Sequence, residues 1–106
     1  MAKIGEFELL VVLAILRHSD APYANRVRED LEVHAHRNVT RGALYRTLDR
    51  LKTKGLIEWE MVPSSTPDRG GHPMRKLSVT REGVEAAQSS REVLLTFFDG
   101  LESRLG

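Results

Sequence analysis

The stretch from Thr40 to Val79 changes its hydrophobic period partway, and that change restricts the chain to few folds. Leu44, Leu48 and Leu51 stand at i, i+4 and i+7, one face of a helix. Thr40 is suited to cap that helix at its start and Gly55 to stop it in the left-handed region. After Gly55 the period drops toward two: Leu56, Glu58 and Glu60 alternate imperfectly with Ile57, Trp59 and Met61 as far as Val62. Pro63 to Pro73 (PSSTPDRGGHP) is loop chemistry throughout, with three of the four prolines and a Gly-Gly pair, and Met74 to Val79 reads as a second strand. A capped helix followed by two strands around a long loop is a helix leading into a β-hairpin with an extended tip.

Upstream, Gly5 to His18 is helical in content and apolar nearly all round past Glu6 and Glu8, so it must be covered on more than one side. Ser19 to Pro22 interrupts it, with Asp20 placed near the next cap and Pro22 suited to the first turn of the next helix. That helix, from about Tyr23 to Val33, turns Ala24, Val27 and Leu31 to one face and Arg28, Glu29 and Glu32 to water. His34 to Asn38 is a polar turn, and the third helix runs from Arg41 to Lys54. Thr80 caps a last helix from about Arg81 to Leu105. The expected fold is mainly α with a small β-hairpin.

At 106 residues, 41% hydrophobic and 29% charged, the chain suits one globular domain and is too apolar for disorder. The absence of cysteine excludes disulfides and thiolate metal sites and fits a reducing, cytoplasmic compartment. The longest apolar run, Leu9 to Leu16, is far short of the roughly 20 residues of a membrane span, and nothing at the N-terminus reads as a secretory signal. Catalysis is not expected. Ser64 and Ser65 lie in a proline-rich loop far from any evident base, and no glycine-rich phosphate motif follows a strand and opens a helix. His34 and His36 have no third ligand nearby in sequence, so no metal is expected, and no cofactor is implied.

The net charge of +1 conceals an uneven distribution. From Arg37 to Arg81 ten Lys or Arg face four acids, a net of +6, and the remainder carries −5. A basic middle between acidic ends is the footprint of a segment that meets a polyanion, although a solvated charged surface would look similar.

Three helices and a hairpin, the third helix basic at its start, is the order of a winged helix-turn-helix, in which helix three enters the major groove of double-stranded DNA. Gly42, Tyr45, Arg46 and Asp49 lie away from the leucine stripe, with Thr40 and Arg41 at the exposed N-terminal end. Thr40, Arg41, Gly42, Tyr45 and Arg46 are therefore the candidate DNA contacts of the helix, and Arg69, Gly70, Gly71 and Arg75 those of the wing. Either helix arginine can bridge a guanine edge or grip a phosphate. Arg69 can reach phosphates or a narrow minor groove, and the two glycines let the loop approach the duplex. Lys52 and Lys54 are explained by the dipole of the helix C-terminus, and Trp59 reads as a half-buried strand residue. The rival reading is a winged-helix protein-interaction module without DNA binding, which has no reason to concentrate positive charge on helix three and the wing.

The segments GEFELLVVLAIL, APYANRVREDLE, VTRGALYRTLDRLKTKGLIEWE and RGGHPMRKLSVTREG together resemble the PadR-like transcription regulators over roughly residues 5 to 90. The match is most specific from Thr40 to Leu56, where Arg41, Gly42, Leu44, Tyr45, Leu48 and Gly55-Leu56 fall at family positions. An aromatic often found near Lys76 and Leu77 is missing, and Ala24 stands where a glycine is usual. The resemblance implies a dimeric bacterial regulator, usually a repressor, held together by its first and last helices and in some members released by an aromatic or drug-like effector. The last helix here is short, as in the compact subgroup.

The last helix points to dimerisation on its own account. Val84, Ala87, Arg91, Leu94, Phe98, Leu101 and Leu105 follow alternating spacings of three and four, a coiled-coil seam interrupted only by Arg91. Together with Leu9, Leu13 and Leu16 of the over-apolar first helix, Val84, Ala87, Leu94, Phe98, Leu101 and Leu105 are the candidate homodimer interface. Phe97 and Phe98 read first as core or interface packing, ahead of an effector pocket. Residues 1–80 are thus expected to form the DNA-binding part and residues 81–106 the dimerisation helix of one compact domain.

Overall fold

A computed structural model describes residues 3–63 and 74–106. The loop residues Arg69, Gly70 and Gly71 lie outside the described residues. Three helices, α1 (Glu6–Leu16), α2 (Ala24–Ala35) and α3 (Arg41–Thr53), precede an antiparallel hairpin of β1 (Ile57–Val62) and β2 (Met74–Val79), and α4 (Arg81–Phe98) and a single turn, α5 (Glu102–Leu105), complete the chain. In the hairpin Ile57 pairs with Val79, Trp59 with Leu77 and Met61 with Arg75, so these six side chains share one face.

The caps explain the boundaries. Thr40 Oγ1 accepts a 3.1 Å hydrogen bond from Ala43 N–H, and Thr80 Oγ1 accepts one of 3.0 Å from Gly83 N–H, as the sequence leads one to expect. Gly55 has φ 77° and ends α3. The cap of α2 differs from expectation: it is Tyr23, not Asp20, and Pro22 lies just ahead of the helix. There Pro22 O accepts a 2.8 Å hydrogen bond from Leu77 N–H and Tyr23 bridges to Lys76, so this segment acts as a short third edge of the sheet. Nothing in the local sequence marks that pairing, because Pro22 lacks the alternation of a strand.

The last helix also departs from expectation. It does not run to Leu105: α4 stops at Phe98, with Asp99 at ψ 130° and Gly100 at φ 84°. The helix ends because its next two residues leave helical geometry, Gly100 in a region where only glycine sits without strain. Leu101 and Leu105 therefore lie beyond a break and do not continue a straight seam.

The core collects the apolar faces of every long element: Val11, Val12 and Ile15 from α1, Val27 and Leu31 from α2, Leu44, Leu48 and Leu51 from α3, Ile57 and Leu77 from the hairpin, and Ala86 from α4. A 2.5 Å contact between His18 Nε2 and Asp30 Oδ2 fastens the end of α1 to α2. From Arg91 onward every residue is exposed, and the molecule is accordingly elongated, 53 Å by 29 Å by 24 Å.

One buried charge sits among these contacts. Glu8, in the first turn of α1, accepts from Gly5 N–H at 2.8 Å and from Lys54 Nζ at 2.7 and 3.0 Å, with Arg50 Nε 3.7 Å away. Lys54 Nζ also donates to Lys3 O at 2.8 Å, so this lysine ties α3 to the start of α1 and does more than complement a dipole. Burial pushes the Glu8 carboxyl up, but the Gly5 N–H, Lys54 and Arg50 outweigh it and hold the group below its usual 4.5. A carboxyl depressed in the folded state adds stability that is present above its unfolded pKa and lost as pH falls through the folded value. Glu8→Gln is expected to lower stability at pH 7 by about 1–3 kcal/mol and to reduce the loss of stability below pH 4.5. Urea unfolding at pH 7 and pH 3.5 checks both, and parallel pH profiles for the two proteins would show that the ion pair is idle.

Candidate nucleic-acid interface

Helix α3 is held by its leucine stripe, which turns the opposite face to solvent. Thr40, Arg41, Gly42 and Arg46 are exposed, and Tyr45 is half-buried. The structure thus brings the five helix candidates to one surface. Arg41 lies with its guanidinium carbon 5.3 Å from the Tyr45 ring centre and donates to the Tyr45 hydroxyl at 3.3 Å.

Many basic residues of the middle segment are already engaged. Arg37 pairs with Glu6, Arg50 and Lys54 with Glu8, Arg75 with Asp49 and Arg81 with Glu85. Among the described residues, no acid pairs with Arg41 or Arg46. Between Arg37 and Arg81 the described basic residues without an acid partner are thus Arg41 and Arg46 in the first half of α3, Lys52 near its end and Lys76 on β2, a distribution that the count of +6 could not reveal.

A concave corner of about 250 Å³ opens between the N-termini of α2 and α3 and strand β2. Tyr23, Asn25, Arg28, Arg41, Tyr45 and Arg75 contribute to its wall, with no acid among the lining residues. Arg28, which the sequence assigns only to a solvent face, is oriented by a 2.9 Å hydrogen bond from its Nε to Val39 O. The sequence signal for it is faint: a lone arginine on α2 becomes part of a basic corner only through the packing of α2 on α3.

Between α1 and α4 lies an apolar groove lined by Leu9, Leu13, Leu16, Val84, Leu94 and Phe98. Leu13, Leu16, Leu94 and Phe98 are exposed, and Leu9 and Val84 are half-buried. Ala87, a candidate interface residue, is instead buried within the chain's own fold, and Leu101 and Leu105 are exposed beyond the helix break. Among the described residues, no helix is long and apolar enough to cross a membrane.

This geometry has counterparts among known proteins. The model of the transcriptional regulator PadR-like family matches residues 12–89. A PadR family transcription regulator from Clostridium difficile R20291 superposes with a TM-score of 0.75 at 19% identity, over 96% of this chain and 100% of that one. A PadR-like transcription factor from Bacteroides fragilis gives 0.69 at 24% identity, over 94% and 89%. RosR of H. salinarum gives 0.70 at 26% identity, over 92% and 79%. No curated protein matches the chain. The shared fold is the winged helix, with α3 as its third helix and the hairpin as its wing. With three helices, a wing and a family match across most of this length, the chain belongs to the PadR-like family of transcriptional regulators.

Proposed function

We propose that the protein is a sequence-specific DNA-binding regulator, a repressor that acts as a homodimer on an inverted-repeat operator. The observation that carries this reading is the pair of exposed arginines in the first two turns of α3, Arg41 and Arg46, neither of which has an acid partner among the described residues. A helix presented in this way fits the major groove, where arginine reads guanine or grips phosphate. Thr40, Gly42 and Tyr45 line the same approach, a sugar-phosphate strand fits the corner beside Arg28, and Arg69, Gly70 and Gly71 serve as wing contacts.

The dimer follows from α4. Val93, Leu94, Leu95, Phe97 and Phe98 are all exposed, Phe97 by 75%, on a helical segment that leaves its own body. An isolated helical segment of this length is marginal in water, and one apolar nearly all round has to be covered. A second copy supplies the cover when each α4 lies in the groove between the other subunit's α1 and α4, an isologous contact. Residues 1–80 then form the reading part and residues 81–106 the joint. The two α3 helices would stand about one turn of the duplex apart, or a multiple of it. An aromatic effector entering at the joint would alter that separation and release DNA.

Electrophoretic shift of the wild-type chain on fragments of its own promoter region tests the reading. Neutralising on the order of six phosphates gives a log affinity falling with log salt at a slope of about −5, near a thousandfold between 50 and 200 mM salt. Arg41→Ala and Arg46→Ala should each weaken the specific complex by about 1–3 kcal/mol where the arginine reads a base. No shift on any fragment at low salt, or full affinity in both variants, rejects the reading and leaves the protein-interaction module.

A further inference from the structure

Arg75 occupies an unusual place for a basic residue of a wing. It pairs with Met61 and so falls on the hairpin face that carries Ile57, Leu77 and Val79, the face turned to the core. Its guanidinium carbon lies 4.3 Å from the centre of the Trp59 ring and 4.6 Å from that of Tyr45, and its Nη1 donates to Asp49 Oδ1 at 3.0 Å. Trp59 belongs to β1, whereas Tyr45 and Asp49 are one turn apart on α3. The row continues at both ends: Arg41 stands over Tyr45, and Lys52 Nζ lies 4.2 Å from the Trp59 ring centre. Cations and rings thus alternate along the seam between α3 and the hairpin.

We propose that Arg75 is a positioning residue, a strut that fixes the angle between α3 and the wing so that both meet the duplex as one rigid body; this rests on the DNA-binding reading. The base of the hairpin is anchored without it, by Leu77 in the core and the hydrogen bond from Leu77 N–H to Pro22 O. Farther toward the tip, Arg75 makes the only side-chain hydrogen bond between hairpin and α3 among the described residues. A planar, weakly hydrated guanidinium can touch two rings and still donate to a carboxylate, and a lysine ammonium cannot reproduce that set of contacts. With two rings and Asp49 around it, this guanidinium is committed to the protein's own groups. Its effect on the DNA complex is geometric.

The distinction is measurable in the full chain. Arg75→Lys and Arg75→Gln should each weaken operator binding about tenfold, and the slope of log affinity against log salt should stay at the wild-type value for both. A phosphate contact predicts the reverse: Lys restores the affinity and Gln makes the slope shallower by about one per subunit. Either that pattern or unchanged affinity in Arg75→Lys overturns the proposal. Without DNA, both variants should change the emission of Trp59, the single tryptophan, and raise its quenching by acrylamide. Unchanged emission and quenching overturn the strut whether or not the wild-type chain binds DNA, so this arm is separate from a failure of the functional reading. Should Arg75→Gln fail to fold, Asp49→Asn removes the ion pair and leaves the rings: reduced affinity at constant slope supports the strut, and wild-type affinity rejects it.

Discussion

Gly83→Ala is expected to meet the closest contacts of any glycine-to-alanine change among the described residues and to be strongly destabilising. An ideal Cβ at Gly83 would lie 2.0 Å from the Leu56 carbonyl oxygen and 2.6 Å from Val79 Cγ1. The carbonyl cannot retreat cheaply. It accepts a 3.1 Å hydrogen bond from Thr80 N–H, and Leu56 N–H in turn donates to Leu51 O at 3.0 Å. Relief must come from lifting the first turn of α4 off the end of α3, which would also disturb the Thr80 cap and the hydrogen bond from Thr80 Oγ1 to Gly55 O at 2.7 Å. Overpacking against a fixed backbone should cost about 3 kcal/mol or more, lowering the melting temperature by about 15 °C. Circular dichroism melts of both proteins at equal concentration measure it, because the proposed association would make the midpoint depend on concentration. A midpoint within a few degrees of wild type would show that α4 can dock elsewhere at little cost.

The second large effect is expected from Leu94→Asp combined with Phe98→Asp. Both side chains are about half exposed in the protomer, so a monomer can carry the two carboxylates in water. In the proposed dimer they would be desolvated without a partner, which the interface cannot tolerate. The variant should sediment as a folded monomer at micromolar concentration, where the wild type is expected to sediment as a dimer. Operator affinity should fall by a factor of about 10²–10⁴, because the two half-sites are no longer bound by one molecule. A monomeric wild type, or a double variant that keeps its operator affinity, would refute the assembly through α1 and α4.

Much of the local structure was legible. Thr40, Gly55 and Thr80 mark their boundaries because a cap or a left-handed stop depends on the chemistry of one residue and its immediate neighbours. The leucines of α3 are buried as their spacing requires, and β2 spans Met74–Val79 as read. The end of α4 was harder to see. Leu101 and Leu105 keep the heptad rhythm, and that rhythm masked the Asp99-Gly100 break that separates them from the helix.

What the sequence determined by itself was the order of the main helices and strands, the faces that α2 and α3 bury, and the family resemblance. These rest on interactions that repeat every two to four residues. Only the tertiary structure decided which charges remain free. Arg37, Arg50, Lys54 and Arg75 count as four positive charges in the sequence, yet each meets an acid or a ring from another element. Glu8 and Lys54 are 46 positions apart, and Arg75 and Asp49 are 26 apart. Pairing at that range depends on how the helices cross, which no local pattern encodes. Arg41 and Arg46 stand out for the same reason: among the described residues the one acid on their helix, Asp49, is taken by Arg75, and no acid pairs with either arginine.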